Sequence, residues 1–167
     1  MKITLRLTLF ISILLFSNCG GPSDTDSSKE KDVTIQNNTE KVWEEFTIRA
    51  LGNTMQDMKF STKNISVKEG SWVRINLIND GTDPSMIHNI IFINYGTRSK
   101  LALDAVEVGL DNNFIPRSKD VIAASELAQP GESVTLEFQA PAKGNYEFFC
   151  SYPGHASMMR GYFFVKK

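Results

Sequence analysis

The feature that most narrows the possible folds is a succession of short segments in which apolar and polar residues alternate, each closed by turn residues. Trp72-Val73-Arg74-Ile75-Asn76-Leu77 sets Val73, Ile75 and Leu77 on one face, and Asn79-Asp80-Gly81 ends it. Ile87-His88-Asn89-Ile90-Ile91-Phe92-Ile93 reads as a strongly apolar strand. Ser133-Val134-Thr135-Leu136-Glu137-Phe138 alternates cleanly after a Gln129-Pro130-Gly131 turn. Asn145–Phe149 and Gly161–Val165 supply the last two strands. Short strands at this spacing predict an all-β sandwich or barrel. One stretch breaks the rhythm: Leu101, Ala105 and Val108 fall at helical spacing before Gly109, which predicts a single helical flap near residues 98–110 outside the β fold.

The amino terminus reads as an address. Lys2 and Arg6 lead an apolar run from Leu7 to Phe16 that is too short to span a bilayer comfortably, as in a secretory signal. Phe16-Ser17-Asn18-Cys19-Gly20 resembles a bacterial lipoprotein cleavage site, with residues 1–18 removed and Cys19 lipidated. An ordinary secreted or periplasmic protein is the alternative. The stretch after Cys19 is small, polar and unpatterned, so residues 19–45 read as an acidic tether and residues 46–167 as the globular domain, with Val42-Trp43 already packed on the domain as the alternative at that boundary. The whole chain has a formal charge of -1, but the imbalance is local. Residues 20–45 hold seven acids and three lysines, whereas residues 46–167 hold 12 acids and 13 bases. No basic patch of the kind that binds nucleic acid is present.

The chain has only two histidines and two cysteines. That count excludes a three-His zinc centre, a multicopper site and a four-thiolate cluster. It leaves one informative constellation: Cys150-Ser151-Tyr152-Pro153-Gly154-His155-Ala156-Ser157-Met158-Met159, with His88 upstream. A thiolate, two imidazoles and a thioether are the donors of a trigonal copper site with a long axial bond to sulfur. The Tyr152-Pro153-Gly154 turn reverses the chain so that His155 can face the point Cys150 faces, and Met159 follows where the loop enters the last strand. Taken singly, each residue has an ordinary role in a core. Taken together, the C-x4-H-x3-M string recruits both histidines and gives an exported protein's unpaired thiol a function.

These residues make the sequence similar to the azurins, small blue copper proteins with a cupredoxin Greek-key β-sandwich. The resemblance runs over nearly all of residues 46–167. It is carried by Phe148–His155, by Met86-Ile87-His88-Asn89, by Met58–Thr62, and by Gly109–Phe114 with Val121-Ile122-Ala123. It implies one type 1 copper held by His88, Cys150 and His155, with Met159 axial and a weak contact from the Ile87 carbonyl, at a place where azurins carry Gly. Asn89 would tie the ligand loops together. His155 would offer its ring edge as the electron port, ringed by an apolar docking patch of Met58, Met86, Tyr152 and Pro153. The implied function is one-electron transfer between redox partner proteins such as a cytochrome or a copper oxidoreductase, without a small-molecule substrate or enzymatic activity. The implied location is the periplasmic face of a bacterial membrane, or the periplasm if Cys19 carries no lipid. Two rivals stand beside this reading. One is a copper carrier or buffer using the methionines at 55, 58, 86 and 158, and the other is a metal-free structural sandwich.

Overall fold

A computed structural model describes residues 41–167 of the chain; the expected signal segment, Cys19 and most of the expected tether lie outside the described residues. Nine strands form two sheets. β1 (Trp43–Leu51), β2 (Lys59–Phe60), β4 (Trp72–Asn79) and β7 (Ser133–Gln139) make a four-stranded sheet in the order β2-β1-β4-β7. The five-stranded sheet takes the order β3-β9-β8-β5-β6, from β3 (Asn64–Lys68), β9 (Arg160–Lys166), β8 (Gly144–Phe149), β5 (Ile91–Asn94) and β6 (Val121–Ala124). Both sheets are mixed, because β1 runs parallel to β4 and β3 parallel to β9 while the other pairings are antiparallel.

The alternation in β4 works as its sequence dictates. Val73, Ile75 and Leu77 are fully buried, and the residues between them are partly exposed. They meet Ile48 from β1 and the inward rings of the other sheet. Phe92 of that sheet packs against its neighbours Phe148 and Phe163 at centroid separations of 5.5 and 5.0 Å and, across the sandwich, against Phe138 of β7 at 4.8 Å. Each such ring contributes roughly 1.5–3 kcal/mol by leaving water. Gly161 is set by this packing: a Cβ there would stand 2.3 Å from Phe148 Cζ and 2.6 Å from the Lys63 carbonyl.

The flap is α1 (Arg98–Val108). Leu101 packs with Ile91, Ile93 and Phe149 in a cluster separate from the main core, and Ala105, one turn on along the same helix face, is buried as well. Gly109, at a φ of 70°, ends the helix and donates its N–H to the Ala105 carbonyl.

Two boundaries differ from the sequence expectation. The domain begins before Phe46, since β1 starts at Trp43 and the Trp43 and Trp72 rings lie 5.6 Å apart. Arg74 lies over Trp43 and Lys41 over Trp72, so cation–π contacts hold a segment whose charges read as tether. The strand expected over Ile87–Ile93 is regular only from Ile91. His88 forms an isolated bridge with Ala128, and Ile90 bonds Ser125, so this stretch pairs with residues 125–128 and not with β8.

Candidate metal centre

Each member of the centre is placed by a separate local cause. Cys150 follows the last residue of β8, and its N–H donates to the Met159 carbonyl at 2.9 Å, which draws the two ends of the loop together. Between them Gly154 takes a φ of 85°, the left-handed backbone that only glycine adopts freely. A short 3-10 turn, His155–Ser157, then leads into β9, with the Met159 N–H on the His155 carbonyl at 2.9 Å. Met159 is thus bonded through its backbone to both Cys150 and His155, and its side chain is fully buried. His88 arrives from the bridge with Ala128. Upstream of it, the buried amide of Asn79 donates to the Met86 and Ala128 carbonyls at 2.7 and 3.0 Å and accepts the Gly81 N–H.

The result is a triangle of donor atoms. His88 Nδ1 and His155 Nδ1 are 3.1 Å apart, and Cys150 Sγ lies 3.8 and 3.7 Å from them. The point equidistant from atoms with these separations is about 2.1 Å from each, close to transition-metal bonds of roughly 2.0–2.1 Å to imidazole and roughly 2.3 Å to thiolate. All three residues are at most 1 % exposed. Burial pushes the Cys150 thiol up to about 12, against the pull of the Asn89 and Tyr152 backbone N–H groups. Burial also brings His88 and His155 down to about 4, with repulsion from His155 adding to the effect on His88. At neutral pH the pocket therefore holds two neutral imidazoles whose Nδ1 atoms face each other across a thiol. A metal ion accepts all three lone pairs at once, and imidazole with thiolate is a donor set that suits copper or zinc.

Asn89 sits at a junction of three segments. Its Nδ2 donates to Ser151 Oγ at 2.8 Å and to the Asn113 carbonyl at 3.0 Å, and its Oδ1 accepts the Ser151 N–H at 2.8 Å. It joins the His88 segment, the Cys150 loop and the end of the flap. That last link passes through two residues with left-handed backbone, Asn113 at a φ of 52° and Phe114 at 55°. For a bulky residue this conformation costs roughly 1–2 kcal/mol. The Phe114 ring meets Tyr152 edge-on at 5.1 Å, and Tyr152 lies tilted over His155 at 4.9 Å.

The expected docking patch needs correction. Met58 and Met86 are 1 % and 4 % exposed and belong to the interior. The loop from Gly52 to Met58 folds tightly, so that a Cβ at Gly52 would stand 2.7 Å from Met58 Cα, and the Met86 carbonyl is held by the buried Asn79 amide. Among the described residues the exposed methionines are Met55 and Met158, at 44 % and 43 %. Met55 reaches the turn between Cys150 and His155, where its Cε would be 2.9 Å from a Cβ on Gly154. His155 itself, expected at the surface, is 1 % exposed beneath Tyr152. Ile87 is half-buried, as are Tyr152 and Pro153. Residues that the sequence did not single out are Asn79, Ser151, Arg98 and Asn113. Arg98 donates from the first turn of the flap to the Ala156 carbonyl at 3.0 Å. Asn79 fell within the Asn79-Asp80-Gly81 turn, Ser151 within the Cys150–Met159 string and Asn113 within the Gly109–Phe114 stretch, but none of the four was given a role there.

Comparison with known proteins agrees with this geometry. Residues 47–166 match the family model of copper binding proteins, plastocyanin/azurin family. Azurin of Pseudomonas chlororaphis is 34 % identical over 116 residues, covering 65 % of this chain and 91 % of that protein. Auracyanin-A of Chloroflexus aurantiacus is 28 % identical over 173 residues, covering 96 % of this chain and 97 % of that protein. The solved structure of auracyanin A, a "blue" copper protein from the same bacterium, superposes with a TM-score of 0.67 at 28 % identity, over 74 % of this chain and 99 % of that one. The azurin Az-iso2 structure from Methylomonas sp. strain J gives a TM-score of 0.66 at 33 % identity, over 74 % and 98 %. With a cupredoxin sandwich and a buried His88, Cys150 and His155 cluster compatible with one type 1 copper, the chain belongs to the plastocyanin/azurin family of copper-binding proteins.

Proposed function

We propose that this protein is a blue copper electron carrier in which His88, Cys150, His155 and Met159 would hold the metal, with the Ile87 carbonyl as a candidate for a weak further contact. The observation that carries this reading is the convergence of two imidazole Nδ1 atoms and one thiol Sγ, each from a different backbone setting, on a single buried point. Copper bound there supplies a one-electron couple, Cu(II)/Cu(I). The chain's part is to keep the donors fixed and water out. Ligands locked by Asn89, by the Cys150–Met159 backbone bond and by core packing have little freedom to rearrange when charge changes, which keeps the barrier to electron transfer low.

In this reading the partners are redox proteins, a cytochrome or a copper oxidoreductase, that dock briefly through a small apolar contact around Tyr152, Pro153, Met55 and Met158. The protein is an electron carrier and not an enzyme. It is exported and held at the periplasmic face of a membrane by lipid on Cys19, with the acidic stretch that follows as its tether. A carrier or buffer of Cu(I) would use open thioethers, but two of its four extra methionines, Met58 and Met86, are enclosed in the fold. Stopped-flow mixing of the copper-loaded protein with reduced cytochrome c tests the function: cytochrome oxidation should keep pace with bleaching of the blue colour. A protein that binds only Cu(I), without colour, supports the carrier instead. For the anchor, Cys19→Ala should release the protein from the membrane fraction, and retention there counts against lipidation.

A further inference from the structure

We infer that Phe114 is a positioning residue of the metal centre: its strained backbone locks Tyr152 as a cover over His155. Among the described residues, the non-glycine positions with left-handed backbone are Asn113 and Phe114 alone. Asn tolerates that conformation and Phe does not, so something in the fold holds Phe114 there. The clamps are visible. The Phe114 N–H bonds the Gly109 carbonyl at 3.0 Å, the Ile115 N–H bonds the Asn112 carbonyl at 2.9 Å, and Asn89 grips the Asn113 carbonyl from beside the ligand loop.

Strain kept at such a place points to a use. Here the strained residue sends its ring against Tyr152 at 72°, and Tyr152 in turn lies over His155. The outcome is a metal-binding histidine on a surface loop that is only 1 % exposed. Because Asn89 also holds Ser151, the cover is registered to the same backbone that positions Cys150. The cover keeps water and small ligands from the His155 side of the centre, so contact with a partner is made through the Tyr152 ring and not through bare imidazole.

The test has one arm that needs no copper. In the metal-free full-length protein, diethyl pyrocarbonate should modify neither histidine readily, as followed by peptide mass spectrometry. Phe114→Asn, which suits the left-handed backbone but removes the ring, should raise the modification rate of His155 at least tenfold and leave His88 unchanged. Phe114→Tyr should keep the native rate. Phe114→Gly repeats the test if the Asn variant folds poorly. An unchanged His155 rate in a folded variant overturns the inference. A parallel rise at His88 and His155 also overturns it, since it marks general loosening. The second arm rests on the copper reading: free imidazole should alter the blue absorption of Phe114→Asn and leave that of the native protein intact. Failure of the copper reading would appear separately, as a protein without colour whose labelling pattern still holds.

Discussion

Acid should destabilise the metal-free protein well above the pH at which carboxylates titrate. His88 and His155 ordinarily take up protons near 6.5, but in the fold they do so only at about 4. Between those values the unfolded chain binds protons that the native state refuses, so stability falls as pH falls through the window. One pH unit of such a difference is worth about 1.4 kcal/mol, so each histidine removes about 3 kcal/mol by pH 4. The pair together is comparable with the lower end of the 5–15 kcal/mol that holds a typical domain folded. Cys150 acts on the other side. Its thiol, ordinarily at 9.0, is pushed up to about 12, so the unfolded chain loses that proton first and stability declines as pH rises from 9 to 12. Metal-free protein is therefore expected to be most stable between about pH 6.5 and 9. Urea midpoints measured across this range at constant m-value test the expectation, with the His88→Gln/His155→Gln double variant as reference. A native midpoint that stays flat from pH 6.5 to 4.5, or that falls in parallel with the reference, refutes the reasoning.

Further expectations follow from the same contacts. Asn89→Ala should cost about 3–5 kcal/mol in urea unfolding, because it leaves the Ser151 N–H unpaired and unties three segments; a cost below about 1 kcal/mol would mean the segments hold together without it. Copper uptake should release about one proton, from Cys150, at both pH 7 and pH 5.5. Calorimetry in buffers of different ionisation enthalpy reads that number, and release approaching three protons at the lower pH would show ordinary histidines. Gly161→Ala should destabilise by about 1–3 kcal/mol, seen as a lowered Tm, since its methyl meets Phe148 and the Lys63 carbonyl. A chain starting at residue 46 should be less stable than one starting at 41, because it loses the Trp43–Trp72 pairing; equal urea midpoints would return Trp43 to the tether.

Much of the fold and the centre was legible because its signals are local. Alternation in residues 72–77, 133–138 and 161–165 marks strands whose inward residues are buried, Val134 alone only partly, and helical spacing with Gly109 marks the flap. The ligand loop was legible because Cys150, His155 and Met159 sit within one turn and its flanks. What escaped depends on contacts distant in sequence. The parallel pairings of β1 with β4 and β3 with β9 leave no mark on either strand alone. Met58 and Met86 resemble surface residues of an apolar patch until the tight turn at Gly52 encloses Met58 and the Asn79 amide ties down the Met86 backbone. His88 sits in an apolar run that looks like one strand, yet its backbone partner is Ala128, forty residues on. The covering of His155 needs Phe114, whose unusual backbone no propensity would suggest.

The central claim is that His88, Cys150 and His155 together hold one copper. Titration of the metal-free protein with Cu(II) tests it most directly. The account predicts an intense blue thiolate-to-copper absorption that saturates at one equivalent, bleaches reversibly on reduction and is absent from Cys150→Ser. A native protein that stays colourless with Cu(II), or a Cys150→Ser variant that keeps the colour, would contradict it.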